Sequence, residues 1–456
     1  MKKILLLNPP GKNLYIRDYY ESKVSQANYS THPIDLVTLS GTLRQLNCEI
    51  FLIDSIVQDI SIEETLEKIS KINPDFIISL VASVSWDEDM SFLKLMKSKT
   101  NCKLIVCGDV LHENPEKYID EYDFFDAVIT DFTSPSIIDY INNPDNYQKS
   151  NKILSNSSGS KETDFSGLPY HELFIEIHYR YPFITSNRYC SVLTEYGCPF
   201  KCTFCMIGTL QHKMKKVEDV IAELKYIKSL NVREIFFVDQ TFGTNRARTK
   251  ILLNEIINQK LDIYWFGFSR VDVLDEEMLL LMKKSGCHTL ILGIESGNDK
   301  ILSAYRKGYN KEDIRKTLAI TNRLKIRTVG TFIFGLPDET TETAKDTLNF
   351  LKELPLDYAS FSVAVPRAGT DLRKQAISLN LINSDFIRMD QSGTPVAMPT
   401  KHLTYEQVRK IRKQAVRAFY LRPKYLIRRI KSIRTFYELA NNILNAFHLI
   451  RRTWKL

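Results

Sequence analysis

The chain has 456 residues, 44% of them hydrophobic and 25% charged, with 62 Lys and Arg against 54 Asp and Glu. That length suits two or three domains with a sizeable core, and no run of 18 apolar residues is present to suggest a membrane span. The formal net charge of +8 is unevenly placed: residues 401–456 carry about 15 Lys and Arg against two Glu, so the basic character belongs to a tail and the remainder is slightly acidic.

The opening MKKILLLNPP has two lysines and a short apolar run, which Asn8, Pro9 and Pro10 end too early for a signal peptide. It is predicted to be a buried strand. PIDLVTLSGTLRQL follows with helical period, then EIFLID as a strand and SIEETLEKISKI as a helix. DFIISLVASVS, KLIVCGD and FDAVIT repeat the alternation. Short strands alternating with helices over residues 1–145 predict a doubly wound, flavodoxin-like or Rossmann-like parallel sheet. Such sheets bind ligands at the carboxyl ends of their strands. The residues at those ends are Asn8, Pro9, Asp54, Ser83, Ser85, Gly108 and Asp109. Any one of them also reads as an ordinary turn residue.

Residues 146–184 are expected to be a linker, because NYQKSNKILSNSSGSKETDFSGLPY is polar, Ser-rich and Gly-punctuated. Over 185–375 six strands are predicted: YCSVLTEYG, EIFFVDQTF, IYWFGFSR, TLILGIESG, RTVGTFIFGLP and YASFSVAVP. Helical patterns separate them, which predicts a complete or partial β/α (TIM-like) barrel with its chemistry at the strand carboxyl ends. The residues at those ends are Cys198, Asp239, Gln240, Arg270, Glu295 and Gly335. Residues 376–456 are predicted to form a basic helical region. Val416, Phe419, Leu426, Ile430, Ile433, Phe436 and Tyr437 are spaced to share one stripe, and Pro423 is placed to break the first helix.

The eight cysteines are Cys48, Cys102, Cys107, Cys190, Cys198, Cys202, Cys205 and Cys287. Their scatter is not that of a secreted disulfide framework, and a reducing cytoplasm is expected. Three of them stand as C-x3-C-x2-C in TEYGCPFKCTFC, directly after a predicted strand. A structural zinc site wants four protein ligands, the fourth here being Cys190, His212 or a distant residue. A 4Fe–4S cluster on these three thiolates leaves one iron open to an outside ligand. Gly197 and Pro199 shape the turn, and Phe204 is placed to cover a planar ring near such a cluster.

C-x3-C-x-(aromatic)-C after a first barrel strand resembles the signature of radical S-adenosylmethionine enzymes. The resemblance implies that the open iron binds the amine and carboxylate of S-adenosylmethionine. Electron transfer then cleaves the sulfonium to a 5′-deoxyadenosyl radical. FFVDQTF resembles the strand-two motif, placing Asp239 and Gln240 near the methionine amine. WFGFSR places Arg270 at the carboxylate or ribose, and LGIESG places Glu295 near the ribose. FIFGLPDET resembles the motif near adenine, around Phe334 and Gly335, and VPRAGT resembles the sixth-strand ending. The likeness spans residues 185–375.

The front of the chain resembles the branch that carries a cobalamin-binding domain, through ILLLNPP, the helix after it and IFLID. This implies cobalamin near Asn8, Pro9, Ser83, Ser85 and Gly108. The sequence departs from that branch at two places. Cys107-Gly108-Asp109 stands where a Gly-Gly pair is usual, and Thr130-Asp131-Phe132-Thr133 where Gly-Glu-Gly-Glu is common. Small residues there let a macrocycle approach the backbone. No D-x-H-x-x-G is present, so no histidine is expected on cobalt.

The resemblance implies methyl transfer to an unactivated carbon, and the basic tail points to a lipid or secondary-metabolite substrate. S-adenosylmethionine would be both methyl and radical source, and a flavodoxin- or ferredoxin-type protein the electron donor. One rival is a cobalamin-free member catalysing a rearrangement or cyclisation. Another is a non-catalytic metal-binding interaction protein. The tail reads as a helical cap on the barrel, or as a basic face that lies on an anionic membrane, at its inner face in a cytoplasmic protein, or grips an anionic substrate. No RNA-binding module accompanies it, so nucleic acid is not an expected partner. No catalytic acid or base can be named from the sequence.

Overall fold

The computed structural model describes residues 1–19, 22–26, 29–147, 152–155, 167–386, 389–392, 396–433, 439–440 and 443–444. The chain forms two compact units, one of Met1–Tyr181 with Lys213–Asp219, the other of Pro182–His212 with Val220–Leu456.

In the first unit β1 (Lys2–Asn8) is followed by a short antiparallel hairpin, β2 (Tyr15–Arg17) and β3 (Ser22–Val24). Then come α1 (Ile34–Leu43), β4 (Cys48–Asp54), α2 (Ile62–Ile72), β5 (Phe76–Leu80), α3 (Trp86–Lys99) and β6 (Lys103–Cys107). α4 (Pro115–Glu121), β7 (Ala127–Ile129), α5 (Ser136–Asn142) and β8 (Ile153–Leu154) complete the alternation, and α6 (His171–Ile175) follows. The sheet runs β4-β1-β5-β6-β7-β8, every pair parallel. Its order reverses between β1 and β5, which marks the carboxyl ends of those strands as the place for a ligand. Ile4, Leu5, Leu6 and Leu7 are all fully buried, as a central strand covered on both faces requires. α2 starts at a capping box of Ser61 and Glu64 and buries only Thr65 and Ile69, so it is an outer helix. The stretch 146–184, expected as a linker, supplies β8 and α6 to this unit.

The second unit holds β9 (Cys190–Val192), β10 (Glu195–Tyr196), β12 (Glu234–Phe237), β13 (Tyr264–Ser269), β14 (Cys287–Glu295), β15 (Arg327–Phe334) and β16 (Tyr358–Val363); β11 (Lys213–Met214) lies in the first unit. Six of these form a parallel sheet in the order β16-β15-β14-β13-β12-β9, so each strand lies beside its neighbour in sequence. β9 and β16 do not pair with each other, and the barrel is partial. All six predicted strands are present. The helices α7 (Val217–Ser229), α8 (Arg246–Asn258), α9 (Glu276–Lys284), α11 (Lys311–Arg323) and α12 (Thr341–Glu353) follow the strands in turn. A short α10 (Asp299–Ala304), capped by Asn298, was not anticipated. Both faces of the sheet carry aromatics: Phe236 and Phe266 stack at 4.4 Å on one, and on the other Trp265 packs edge-on against Phe237.

After α13 (Asp371–Ser378), α14 (Tyr405–Tyr420) begins at a capping box of Thr404 and Gln407 and buries Val408, Ala415 and Phe419. Its Arg412 Nε donates to the Phe361 carbonyl at 2.8 Å and its Tyr420 hydroxyl to the Ala359 carbonyl at 2.6 Å. It therefore satisfies carbonyls of β16, the strand at the edge of the sheet, and this part of the tail is a docked cap. Pro423 opens α15 (Pro423–Ser432) as its first residue, which ends the stripe anticipated across both helices. Phe419 is fully buried while Leu426 is 48% exposed. Phe436, Tyr437 and the side chain of Ile430 lie outside the described residues. No helix among the described residues is long and apolar enough to cross a membrane.

Candidate active site at the barrel strand ends

The cysteine loop leaves β9 through β10 and is fixed by its own backbone. Gly197 has φ +71, and a Cβ there would lie 2.5 Å from the Gln211 carbonyl oxygen, so only glycine fits this turn. Asp239, beyond the end of β12, clamps the start of the loop. Its Oδ1 accepts the Thr194 N–H at 2.5 Å and the Glu195 N–H at 2.9 Å, and its Oδ2 accepts the Thr194 hydroxyl at 2.6 Å. Burial and the nearby Glu195 charge push its carboxyl up to about 7. Glu195 in turn meets Arg248 at 3.4 Å and His212 at 3.1 Å. His212 thus has Glu195 as its partner. Cys190 lies in β9 and its thiol is raised by burial and then by Glu223.

Cys198 and Cys202 are buried and Cys205 is half-buried. Each has a different neighbour. The Thr241 hydroxyl lies 3.6 Å from Cys198 Sγ. Arg270 Nη1 donates to Cys202 Sγ at 3.1 Å. Cys205 faces the backbone N–H groups of Ile207 and Gly208. Burial raises the Cys198 thiol, and burial followed by the Cys202 charge pushes Cys205 up to about 11. Binding iron must therefore displace protons from these sulfurs.

These residues fit an iron–sulfur cube better than one metal ion. Among the described residues no three His, Cys, Asp or Glu side chains are gathered to hold a single ion. A zinc site needs four ligands on one centre, whereas a cube takes each thiolate on a different iron. Thr203 Oγ1, inside the motif, is buried without a hydrogen-bond partner, a polar atom left for a group that is not protein.

Around Cys202 the strand ends build a charged and aromatic wall. Arg270, at the end of β13, is gripped by Asp272 at 3.0 and 2.7 Å and donates to the Lys307 carbonyl. Its guanidinium lies 3.8 Å from the Phe200 ring centroid and 5.2 Å from that of Tyr309. Burial opposes its charge, but Asp272 and Cys202 hold it firmly protonated. Glu295, the last residue of β14, has φ +61, and its Oε1 accepts from Lys307 Nζ at 3.0 Å. Lys307 also lies over the rings of Phe204 and Tyr309, at 5.8 and 5.3 Å. The structure thus brings Cys202, Phe204, Arg270 and Glu295 into one network. Lys307, Tyr309, Asp272 and Phe200 belong to it and were missed. Lys307 and Tyr309 sit in RKGYN, a turn after a helix that carries no spacing signal.

The other nominated residues are placed differently. Gln240 is half-buried and makes a long 3.4 Å contact to the Val238 carbonyl. Phe334 is fully buried, 6.4 Å from the Phe361 ring. Gly335 has φ +86, and a Cβ there would lie 2.9 Å from Val408 Cγ1. Its N–H donates to the buried Glu339 at 2.6 Å.

In the first unit the sheet's carboxyl edge is polar and closely knit. Arg17 of the hairpin donates to Asn8 Oδ1 and the Pro9 carbonyl, each at 2.9 Å, and to Ser85 Oγ at 3.0 Å. It forms a fully buried ion pair with Asp89 at 2.7 Å. Ser83 donates to Asp109 at 2.7 Å. At Gly108 an added Cβ would fall 1.8 Å from the Val81 carbonyl oxygen, so strand packing demands this glycine. The group left over is Asp35, at the start of α1. Its Oδ1 is buried without a hydrogen-bond partner, and Cys107 Sγ lies 3.8 Å from Oδ2. Burial pushes its carboxyl up to about 8. The buried Asp35 Oδ1 is a polar atom that an amide on the rim of a corrin would satisfy.

The radical SAM superfamily model matches residues 192–351. A protein of Pyrococcus horikoshii named as a methyltransferase is 30% identical over 449 residues, covering 94% of each chain. Two solved folds are similar. TsrM of Kitasatospora setae, a radical S-adenosylmethionine methyltransferase with cobalamin and a 4Fe–4S cluster bound, has TM-score 0.65 at 15% identity, over 83% of this chain and 75% of its own. The cobalamin-dependent radical enzyme OxsB, with aqua-cobalamin and S-adenosylmethionine bound, has TM-score 0.70 at 18% identity, over 99% and 71%. With its cysteine loop at the mouth of a partial barrel, the chain belongs to the radical S-adenosylmethionine superfamily.

Proposed function

We propose that this enzyme transfers a methyl group to an unactivated carbon of a small molecule. In this reading Cys198, Cys202 and Cys205 hold a 4Fe–4S cluster and the first unit holds cobalamin beside Asp35, Ser83 and Gly108. The observation that carries it is the set of three cysteines after the first barrel strand, with Arg270 on the Cys202 sulfur. When bound, the cluster supplies an electron, S-adenosylmethionine the methyl group and the radical, and cobalamin a methyl carrier. The chain's own residues orient and exclude water. Arg270 fixes the Cys202 sulfur, and Lys307 holds Glu295 at the strand end, where the ribose of the cofactor is placed by the family likeness. Phe200, Phe204 and Tyr309 wall the charged groups off from solvent.

The test is anaerobic reconstitution with iron and sulfide analysis, followed by assay of 5′-deoxyadenosine and S-adenosylhomocysteine release. Both nucleosides are expected, and Cys202→Ala loses them. Zinc content without either product overturns the reading. A cobalamin-free chemistry is favoured by one observation, Arg17 occupying Asn8, Pro9 and Ser85. Corrinoid absorbance retained through gel filtration separates the two.

Finer proposals concern partners. Eight free cysteines support a reducing cytoplasm, and a flavodoxin- or ferredoxin-type donor is proposed to supply electrons. Leu421, Leu426 and Ile427, 67, 48 and 55% exposed in a basic segment, support a lipid-surface contact and with it a lipid substrate. Cosedimentation with anionic vesicles tests this, and equal recovery with neutral vesicles overturns it.

A further inference from the structure

We infer that Arg270 is a positioning residue for the cluster itself, holding the Cys202 sulfur and setting the charge at that corner, rather than a ligand for the carboxylate or ribose of S-adenosylmethionine. The inference rests on the cluster reading above and deepens it. A guanidinium has five N–H donors in a fixed fork. Here Nε and Nη2 are committed to Asp272 at 3.0 and 2.7 Å, and Nη2 also donates to the Lys307 carbonyl. Nη1 points to Cys202 Sγ at 3.1 Å. The plane rests on Phe200 at 3.8 Å. Four of the five N–H groups are therefore spoken for before any ligand arrives, and the fifth is the second N–H of Nη1, the nitrogen already turned to the Cys202 thiolate.

The three sulfurs are unequal in consequence. Cys198 has the Thr241 hydroxyl and the Phe200 N–H and feels Arg270 only through its charge, Cys205 has backbone N–H groups, and Cys202 takes a hydrogen bond from the buried cation itself. The Lys307 ammonium, held by Glu295 at 3.0 Å, adds a second positive charge beside it. A reduced cluster carries one more negative charge than an oxidised one. A fixed cation in a dry site stabilises that charge, and a hydrogen bond to the sulfur draws density from it. Arg270 thus raises the cluster's potential and makes reduction easier.

The experiment is a redox titration of the reconstituted full chain, followed by electron paramagnetic resonance without S-adenosylmethionine, with iron and sulfide counted in each sample. Arg270→Gln is expected to keep its iron and to lower the reduced-to-oxidised ratio at fixed potential about tenfold, ~59 mV for one electron. Arg270→Lys keeps the charge but not the fork and is expected to fall by less. An unchanged ratio in iron-replete Arg270→Gln, with S-adenosylmethionine affinity lost instead, overturns the inference and returns Arg270 to the cofactor. If Arg270→Gln fails to hold iron, Arg270→Lys decides: a lowered ratio supports the inference and an unchanged one overturns it. Failure of the wild-type chain to assemble any cluster sinks the underlying reading, which is a separate result.

Discussion

Lys307 Nζ stands 3.0 Å from Glu295 Oε1, with the two side chains only 6 and 10% exposed. Glu295 holds a left-handed backbone at φ +61, a conformation that non-glycine residues avoid. The pair fixes the end of β14 in that conformation. Lys307→Met leaves a lone carboxylate in a dry site, and the expected loss is about 3–5 kcal/mol in urea unfolding. The double variant with Glu295→Gln is expected to lose less than the two single variants summed, because the orphaned charge is gone. Strict additivity would mean that the two residues do not act as a pair.

This pair also marks the limit of what the sequence discloses. The β/α alternation is written in short apolar runs such as ILLL and FIIS, whose burial on both faces is a local property, so strand order and fold class are readable. The cysteine loop is readable because its three thiols are close in sequence. The Cys202–Arg270–Lys307 chain is not, because its members lie 68 and 37 residues apart and meet only when strand ends converge. Arg17 is hidden for a similar reason. It lies in GKNLYIRDYY, which has neither helical nor strand period, yet it organises the carboxyl edge of the first sheet. Asp239 is expected near the methionine amine from the likeness of FFVDQTF to the strand-two motif, and the sequence does not disclose that its carboxylate also accepts the Thr194 and Glu195 N–H groups.

Glu339 predicts a pH dependence. Its side chain is buried and accepts the Gly335 N–H at 2.6 Å, and burial pushes its carboxyl from 4.5 up to about 8. Between those values the folded chain binds more protons at this site than the unfolded chain. Stability from this group therefore falls as pH rises through that window and levels off above it. Glu339→Gln keeps an acceptor for Gly335 and cannot ionise. Its advantage over wild type, measured as the urea midpoint, is expected to grow from about pH 5 to about pH 9. Parallel curves over that range would show that Glu339 is not held protonated.

Gly335 joins β15 to the cap. Alanine there must adopt φ +86 and bring its Cβ to 2.9 Å from Val408 Cγ1 on α14. Gly335→Ala is expected to cost on the order of 1–3 kcal/mol, with α14 becoming sensitive to protease before the barrel does. Val408→Ala in the same chain relieves the contact but not the backbone conformation, so the double variant recovers only part of the loss. Full recovery would assign the whole effect to the contact.

Arg17 and Asp89 are both completely buried, with the guanidinium shared among Asp89, Ser85, Asn8 and the Pro9 carbonyl. Arg17→Met removes the charge and leaves Asp89 uncompensated, for an expected loss of about 3–5 kcal/mol, read by hydrogen exchange in β1 and β5. Asp89→Asn added to it restores much of that loss. The same variants bear on cobalamin. Arg17→Met frees Asn8, Pro9 and Ser85 from their internal partner while leaving Asp35 and Gly108 in place. If the edge takes a corrin at Asp35, hydroxocobalamin stays bound to the Arg17→Met, Asp89→Asn chain through gel filtration and is lost from Asp35→Ala. Retention by Asp35→Ala equal to wild type would remove Asp35 from the site and leave the unpaired oxygen without a ligand to explain it.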